Sequence, residues 1–406
     1  MGILKRFSTP AFIIILCAAA GAGQLSVSEA VKTALANNPE IAASKSDLDS
    51  AKAKVPQMIS LQDPWIGLEY EQIPSGSRNL EDGMKMYTVQ QMVMFPGKIY
   101  ADYLMAANEA SMFDWRYKAK ILEISSAVKA AYYDLFYADR SVETLKEVKR
   151  LLEQMKKSAI SRYTTGAVPQ TDALMASIEY LVMSNELQTM MQERKVKESA
   201  LKSLLNRTGP ATIETSASLA LPEAIATEDG LKNTALTQRP ELLEMKAQID
   251  IKDAQSFRSK MEFFPDLDLK AKKRVSDGWD AMFALSVPLY FWKQGYGVSS
   301  LGSEKSALEA AYNNMKNMTI ADVKDASVAA KTALQTMHLY KKEVIPQSLS
   351  AIKVSLSAYK GGKINFQTVL DIEKTYREAK LKMFESQVKY GKALAKLERL
   401  TGKEIK

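Results

Sequence analysis

Cysteine and histidine are almost missing: Cys17 and His338 are the only examples in 406 residues. A lone histidine makes neither a Ser-His-Asp triad nor a histidine-rich zinc site. No glycine loop has phosphate-binding spacing, and "GSEKSALEA" lacks it too. No pair of carboxylates is set apart by an apolar pocket. An enzyme, a cofactor and a resident metal are therefore not expected. The formal charge is +8, but no basic tract interleaved with aromatics suggests nucleic acid. Lysines and arginines alternate with acids along helix faces, as on a solvated helical surface. Hydrophobic content is an ordinary 46%, which excludes a polytopic helical membrane protein.

The N-terminus reads as a secretory signal over residues 1–22. Lys5 and Arg6 form a basic region, Phe12–Ala20 an apolar one, and Ala20-Gly21-Ala22 a small-residue cleavage site. The apolar run is too short to span a bilayer. Cys17 would leave with it, so the mature chain would carry no thiol and a charge of +6. Leu16 stands where a lipoprotein signal carries a small residue, which disfavours lipidation.

Proline and glycine are also missing between Lys98 and Arg162. A helix over that span would be about 98 Å long, wider than any single globular core. Its apolar residues (Ile121, Ile124, Val128, Ala131, Leu135, Ala138, Val142, Leu145, Val148, Leu152, Met155, Ala159) step by threes and fours, a heptad seam. Leu122, Tyr132, Tyr133, Phe136 and Leu151 flank it, so the helix has more than one neighbour, as in a wall of helices. A second seam runs through Val323, Ala326, Ala330, Ala333, Met337, Tyr340 and Val344, at an offset of 195–196 residues. Each seam ends on a tyrosine with a glycine three residues later, Tyr163/Gly166 and Tyr359/Gly362. Glycine takes the left-handed conformation that ends a helix, and a returning helix follows. The later one carries Val369, Ile372, Tyr376, Ala379, Met383, Ser386, Tyr390, Ala393, Leu397 and Leu400 in heptad spacing.

Two stretches break the helical pattern at matching places. "PWIGLEYEQI" and "MKMYTVQQMVMF" flank a polar loop, and "DLDLKAKKRV" and "WDAMFALSVPLY" flank "SDG". They read as β-hairpins at about 64–95 and 266–290. Strands of about ten residues, apolar on one face and polar on the other, match outer-membrane barrel strands. Four strands cannot close a barrel, and open edges in lipid cost several kcal/mol per unpaired group, so a spanning chain must oligomerise. Met84, Met86, Met92 and Met94 share one strand parity, opposite Tyr87, Val89, Val93 and Phe95. Soft thioethers suit Cu(I). Methionine also fills awkward packing, and that simpler role is the one expected.

With these features in view, the chain resembles the TolC family of outer-membrane efflux proteins over nearly its whole mature length. The resemblance lies in the doubled helix, hairpin, long helix, tip turn, helix order, and in the opening segments "SEAVKTALANNPEI" and "EDGLKNTALTQRPEL". "DPWIGLEYEQIP" and "QQMVMFPGK" resemble the heavy-metal branch more than the drug branch. The implied fold class is mainly α with β. Repeat 1 covers 23–207, with a long helix at 98–162 and a return helix at 170–207. A linker follows at 208–227. Repeat 2 covers 228–402, with helices at 297–358 and 366–402.

The resemblance further implies a homotrimer in outer-membrane lipid of a Gram-negative-type bacterium, with one twelve-stranded β-barrel and a long periplasmic tunnel. It implies a periplasmic adaptor and an inner-membrane pump, of RND or ABC type, as partners. The tip turns at Tyr163, Gly166, Tyr359 and Gly362 would form the mouth and adaptor contact. Asp172 and Asp371 would be the pore constriction, while Thr368 stands where the family often has another aspartate. Asp172 also suits a plain acid near a helix N-terminus, worth about 0.3–1 kcal/mol; both readings stand. For Asp371, deeper in the helix, the pore role is preferred because like charges in a narrow tube focus the field. The expected function is a passive export conduit for small molecules or metal ions. The alternatives are a type I protein secretion exit duct or a soluble periplasmic coiled-coil adaptor or scaffold.

Overall fold

The computed structural model describes residues 24–224, 226–275 and 278–404; the expected signal segment lies outside them. Nine α-helices and four strands appear among the described residues. In order they are α1 Val27–Asn37, α2 Pro39–Gln57, β1 Trp65–Glu71, β2 Met84–Val93, α3 Pro96–Thr164, α4 Gln170–Leu204, α5 Glu228–Gln238, α6 Pro240–Met261, β3 Asp266–Arg274, β4 Trp279–Ser286, α7 Phe291–Leu339, α8 Ile345–Lys360 and α9 Phe366–Thr401. The doubling expected from the sequence is present. No described helix is long and apolar enough to cross a membrane.

Three features depart from the sequence expectation. The helix before each hairpin is two helices, broken at Asn38-Pro39 and Arg239-Pro240. Proline forces the residue before it out of the α region, and Asn38 and Arg239 are extended (ψ 125° and 118°). The second long helix starts earlier, at Phe291, and is not continuous. It widens into a π turn at Tyr340–Val344, where the Ile345 N–H donates to the Tyr340 carbonyl. Pro346 follows at once; it lacks an N–H and would crowd the preceding turn, and one wider turn relieves both. The third difference lies in the α9 seam: Glu373 is buried and Ile372 only half-buried.

The strands form one antiparallel sheet in the order β1-β2-β3-β4. The β2–β3 ladder, from Met86↔Arg274 to Val93↔Leu267, joins the two repeats. Register places Ile66, Leu68, Tyr87, Val89, Leu267, Leu269, Phe283, Leu285 and Trp279 on one face. The other face carries Glu69, Thr88, Gln90, Asp268, Lys270, Lys272 and Asp280. Lys272 Nζ lies 2.6 Å from Glu69 Oε2, and Gln90 Nε2 donates to Asp268 at 2.8 Å. Met84, Met86 and Met92 lie on this polar face; Met86 is 1% exposed, as packing filler would be, and Met94 lies past the strand end.

Each strand runs on into a helix, and the helices keep the strand order. Next to the sheet the packing sequence is α2–α3–α6–α7. Beyond the middle of α3 it becomes α4–α3–α9–α8. The sheet-to-helix junction is pinned by Lys98, which is 3% exposed and bonds Asp266 at 2.7 Å. Asp266 also accepts from the Phe95 N–H at 2.8 Å, and the Phe95 and Phe264 rings stack at 4.5 Å. Removing Asp266 would leave the buried Lys98 charge without its closest partner.

The first seam packs as its spacing predicts. Ile124, Val128, Leu135, Ala138, Val142, Leu145, Val148, Leu152, Met155 and Ala159 are all buried. Each fully buried large side chain contributes about 1.5–3 kcal/mol. At mid-length, Tyr132 ties the linker to α3: its hydroxyl donates to the Leu25 carbonyl at 2.6 Å and accepts from the Ser216 N–H at 3.0 Å. Arg194 does the same from α4, bonding Asp139, Glu198 and the Ile213 carbonyl.

Gly391 on α9 faces the buried Tyr133 ring, and a Cβ there would sit 2.8 Å from ring carbons. Alanine gains about 1 kcal/mol of helix propensity over glycine, but overpacking a rigid site costs about 1–3 kcal/mol. Gly391→Ala is expected to destabilise the full-length protein in chemical denaturation. Combined with Tyr133→Leu, it should lose less than the sum of the two single variants.

Candidate functional site

The two helical hairpins end side by side. Both turns have the same hydrogen-bond pattern. Gly166 N–H donates to the Tyr163 carbonyl and Ala167 N–H to Arg162; Gly362 N–H donates to Tyr359 and Lys363 N–H to Ala358. This paired closure needs a left-handed residue just past the helix. Gly166 (φ 74°) and Gly362 (φ 72°) supply it, as the spacing after each tyrosine predicts.

The tyrosines themselves differ. Tyr163 is 42% exposed, whereas Tyr359 is 2% exposed and packs edge-on against Phe366. Arg162, which the sequence reading did not single out, explains the difference. Its guanidinium lies 4.9 Å over the Tyr359 ring and donates to the Tyr359 carbonyl. The first tip thereby clamps the second. Only the tertiary fold brings position 162 to position 359, so no local signal could have found it.

The two candidate aspartates have different partners. Asp172 sits half-buried in the first turn of α4 and accepts from the Tyr359 hydroxyl at 3.4 Å. That aspartate, together with burial, raises the Tyr359 pKa, burial being the larger cause. Asp371 is exposed on α9 and accepts from Gln367 at 3.0 Å. Thr368, in the column of Asp172, is bound up with the N-cap residue Asn365, whose side chain accepts from the Thr368 N–H and hydroxyl. Of the two candidate aspartates, Asp371 is thus the more exposed.

Behind the tips, charge links the helices. Glu147 on α3 accepts from Tyr376 at 3.0 Å and Lys380 at 2.6 Å on α9. Arg377 on α9 donates to Glu186 on α4 at 2.8 Å. Among the described residues, no cluster of three or more histidine, cysteine, aspartate or glutamate side chains is placed to hold a metal ion.

The chain thus combines a doubled helical hairpin, a four-stranded sheet with one apolar face and a charged double tip. The model of the outer membrane efflux protein family matches residues 30–207 and 231–403, and the chain belongs to that family. It is an outer-membrane efflux component with a large periplasmic helical part. It is 20% identical over 388 residues to the cobalt-zinc-cadmium resistance protein CzcC of Cupriavidus metallidurans, covering 94% of this chain and 91% of the relative. Its fold is that of CusC (TM-score 0.79, 14% identity, 93% of this chain and 92% of that one). The outer membrane protein VceC of Vibrio cholerae is similarly close (TM-score 0.77, 16% identity, 94% and 97%).

Removing the clamp should loosen the second tip selectively. A hydrogen bond from a charged donor contributes about 1.5–3 kcal/mol. Arg162→Ala is therefore expected to speed amide exchange around Tyr359–Phe366 about tenfold or more, and Arg162→Lys to restore only part of the protection. Unchanged exchange in Arg162→Ala would show that the clamp carries no load.

Proposed function

We propose that three copies close one barrel and one helical tunnel, and that this tube is a passive conduit from periplasm to exterior. The observation that carries the reading is the matched order of strands and helices. Within the described residues β1 and β4 each pair on one side only. Exposed strand edges cannot persist in lipid. Three sheets of four strands would give a barrel with room for an aqueous lumen, the apolar face toward lipid and the Glu69–Lys272 face inside.

The helices point to the same closure. Near the tip, α4 and α8 are the outer members of the wall. Leu174, Ile178, Leu181 and Val182 form an exposed apolar stripe on α4, and Leu349 and Val354 are exposed on α8. A second copy is the occupant that suits both stripes, with α8 of one protomer beside α4 of the next.

In this assembly the tips face the periplasm, where an adaptor and an energised inner-membrane pump, of RND or ABC type, would dock. Tyr163, exposed beside Gly166, is the contact residue available at the first turn; at the second, Gly362 and its neighbours are exposed while Tyr359 is held inside. Asp172 and Asp371 would ring the constriction. The cargo is small molecules or metal ions, and the likeness to CzcC favours divalent metal ions. No step of chemistry is assigned to the chain.

Heat-modifiable trimers in outer-membrane fractions are the expected assembly; a detergent-free monomer would overturn the reading. In planar bilayers, Asp172→Ala with Asp371→Ala is expected to raise conductance and weaken block by divalent cations. Unchanged single-channel currents would remove both aspartates from the constriction.

A further inference from the structure

Glu373 lies two residues past Asp371 and is 1% exposed, inside the seam between α9 and its neighbours. Its Oε1 accepts no hydrogen bond among the described residues; the nearest cation, Arg377 Nε, stands 3.7 Å away. Arg377 instead donates to Glu186 on α4 at 2.8 Å, a bond that ties α9 directly to α4. A single guanidinium thus stands between two carboxylates, one buried with its Oε1 unbonded, one at the helix interface. An ionised carboxylate held this loosely in a buried place is costly.

We propose that Glu373 is a proton-dependent latch on the tip: neutral, it leaves Arg377 to tie α9 to Glu186 of α4; ionised, it competes for Arg377 and loosens α9 from α4. The latch rests on the channel reading for its role as a gate, but not for its existence as a contact.

The surroundings fit this role. Burial pushes the Glu373 carboxyl up to about 7; Arg377 opposes the rise, and Glu179 and Glu186 on α4 and Glu378 on α9 add to it. On α3, Glu147 is occupied by Tyr376 and Lys380. Lys149 and Lys156 of that helix lie over the Tyr180 ring of α4, and Arg150 acts on Glu147. The charged residues of α8, Lys353 and Lys360, are solvent-exposed. Because the folded carboxyl holds its proton more tightly than the unfolded one, the stabilisation is full below the ordinary carboxylate range. It is lost as pH rises toward about 7. Mild acid should therefore hold the tip shut, and neutral pH should release it.

The test uses the full-length protein in detergent and in planar bilayers, at about pH 5.5 and about pH 8. Amide exchange, corrected for its intrinsic pH dependence, reads the contact; conductance reads the gate. For the unaltered protein, protection of the tip halves of α4 and α9 is expected to be about tenfold higher in acid, with conductance lower. Glu373→Gln should keep the high protection and low conductance at both pH values. Glu186→Gln, which leaves Arg377 to Glu373, should give low protection at both. A Glu373→Gln protein with the same pH dependence as the parent, or a parent with none, would overturn the latch. If exchange follows Glu373 but no current flows at either pH, the contact stands and the channel reading fails.

Discussion

The long helices pack side by side in the order of the strands, and that constraint governs the rest. A helix between two lateral neighbours must be apolar on two flanks. Helix α3 meets the demand over 69 residues by changing partners on the way. It lies between α2 and α6 near the sheet and between α4 and α9 toward the tip. The exchange happens at its widest apolar section, where Tyr132, Tyr133, Leu135 and Phe136 are all buried. There the linker residues Ile213, Thr215 and Ser216 are fastened by Arg194, Asp139 and Tyr132. Buried polar groups that satisfy one another in this way set geometry as well as stability.

The two repeats share topology but not mechanics. Repeat 1 descends through an unbroken helix, whereas repeat 2 descends through a π turn fixed by Pro346. A π turn is one of the places where long helices kink. At the tips the asymmetry continues: Arg162 of the straight helix grips Tyr359 of the interrupted one. Glu373 and Arg377 also belong to the second repeat. The bend and the buried, poorly paired acid thus fall in the same half, the one the proposed latch would act on.

Most of the architecture was legible because it rests on period and punctuation. A seam stepping by threes and fours without glycine or proline has few folds available, and α3 follows it except at Ile121 and Ala131, which are only half-buried. Gly166 and Gly362 were readable as left-handed caps from spacing alone. Strand parity correctly separated Tyr87 and Phe283 from Lys272 and Asp280. What stayed hidden was non-local or hinged on one residue. Arg162 owes its role to a neighbour 197 positions away. Glu373 occupies a seam position that the apolar pattern assigned to Ile372, because a heptad rule follows hydrophobicity and passes over a buried carboxylate. Pro346 falls inside the stretch expected as one helix over 297–358, and the seam that ends at Val344 carried no sign of the π turn.

Strand order and helix order coincide because β1 follows α2, β2 leads into α3, β3 follows α6 and β4 leads into α7. Each strand is thus the extension of one stave of the wall. The consequence concerns assembly. Wherever β4 finds a neighbour's β1, α7 is carried toward that neighbour's α2, and farther along α8 is carried toward its α4. The cost of open strand edges in lipid and the cost of the exposed stripe Leu174–Val182 in water are then relieved by one and the same contact. A sheet and a helical layer with different orders would need two separate solutions. The proposed assembly would need one, and the Lys98–Asp266 pair ties the sheet to the helices that continue it.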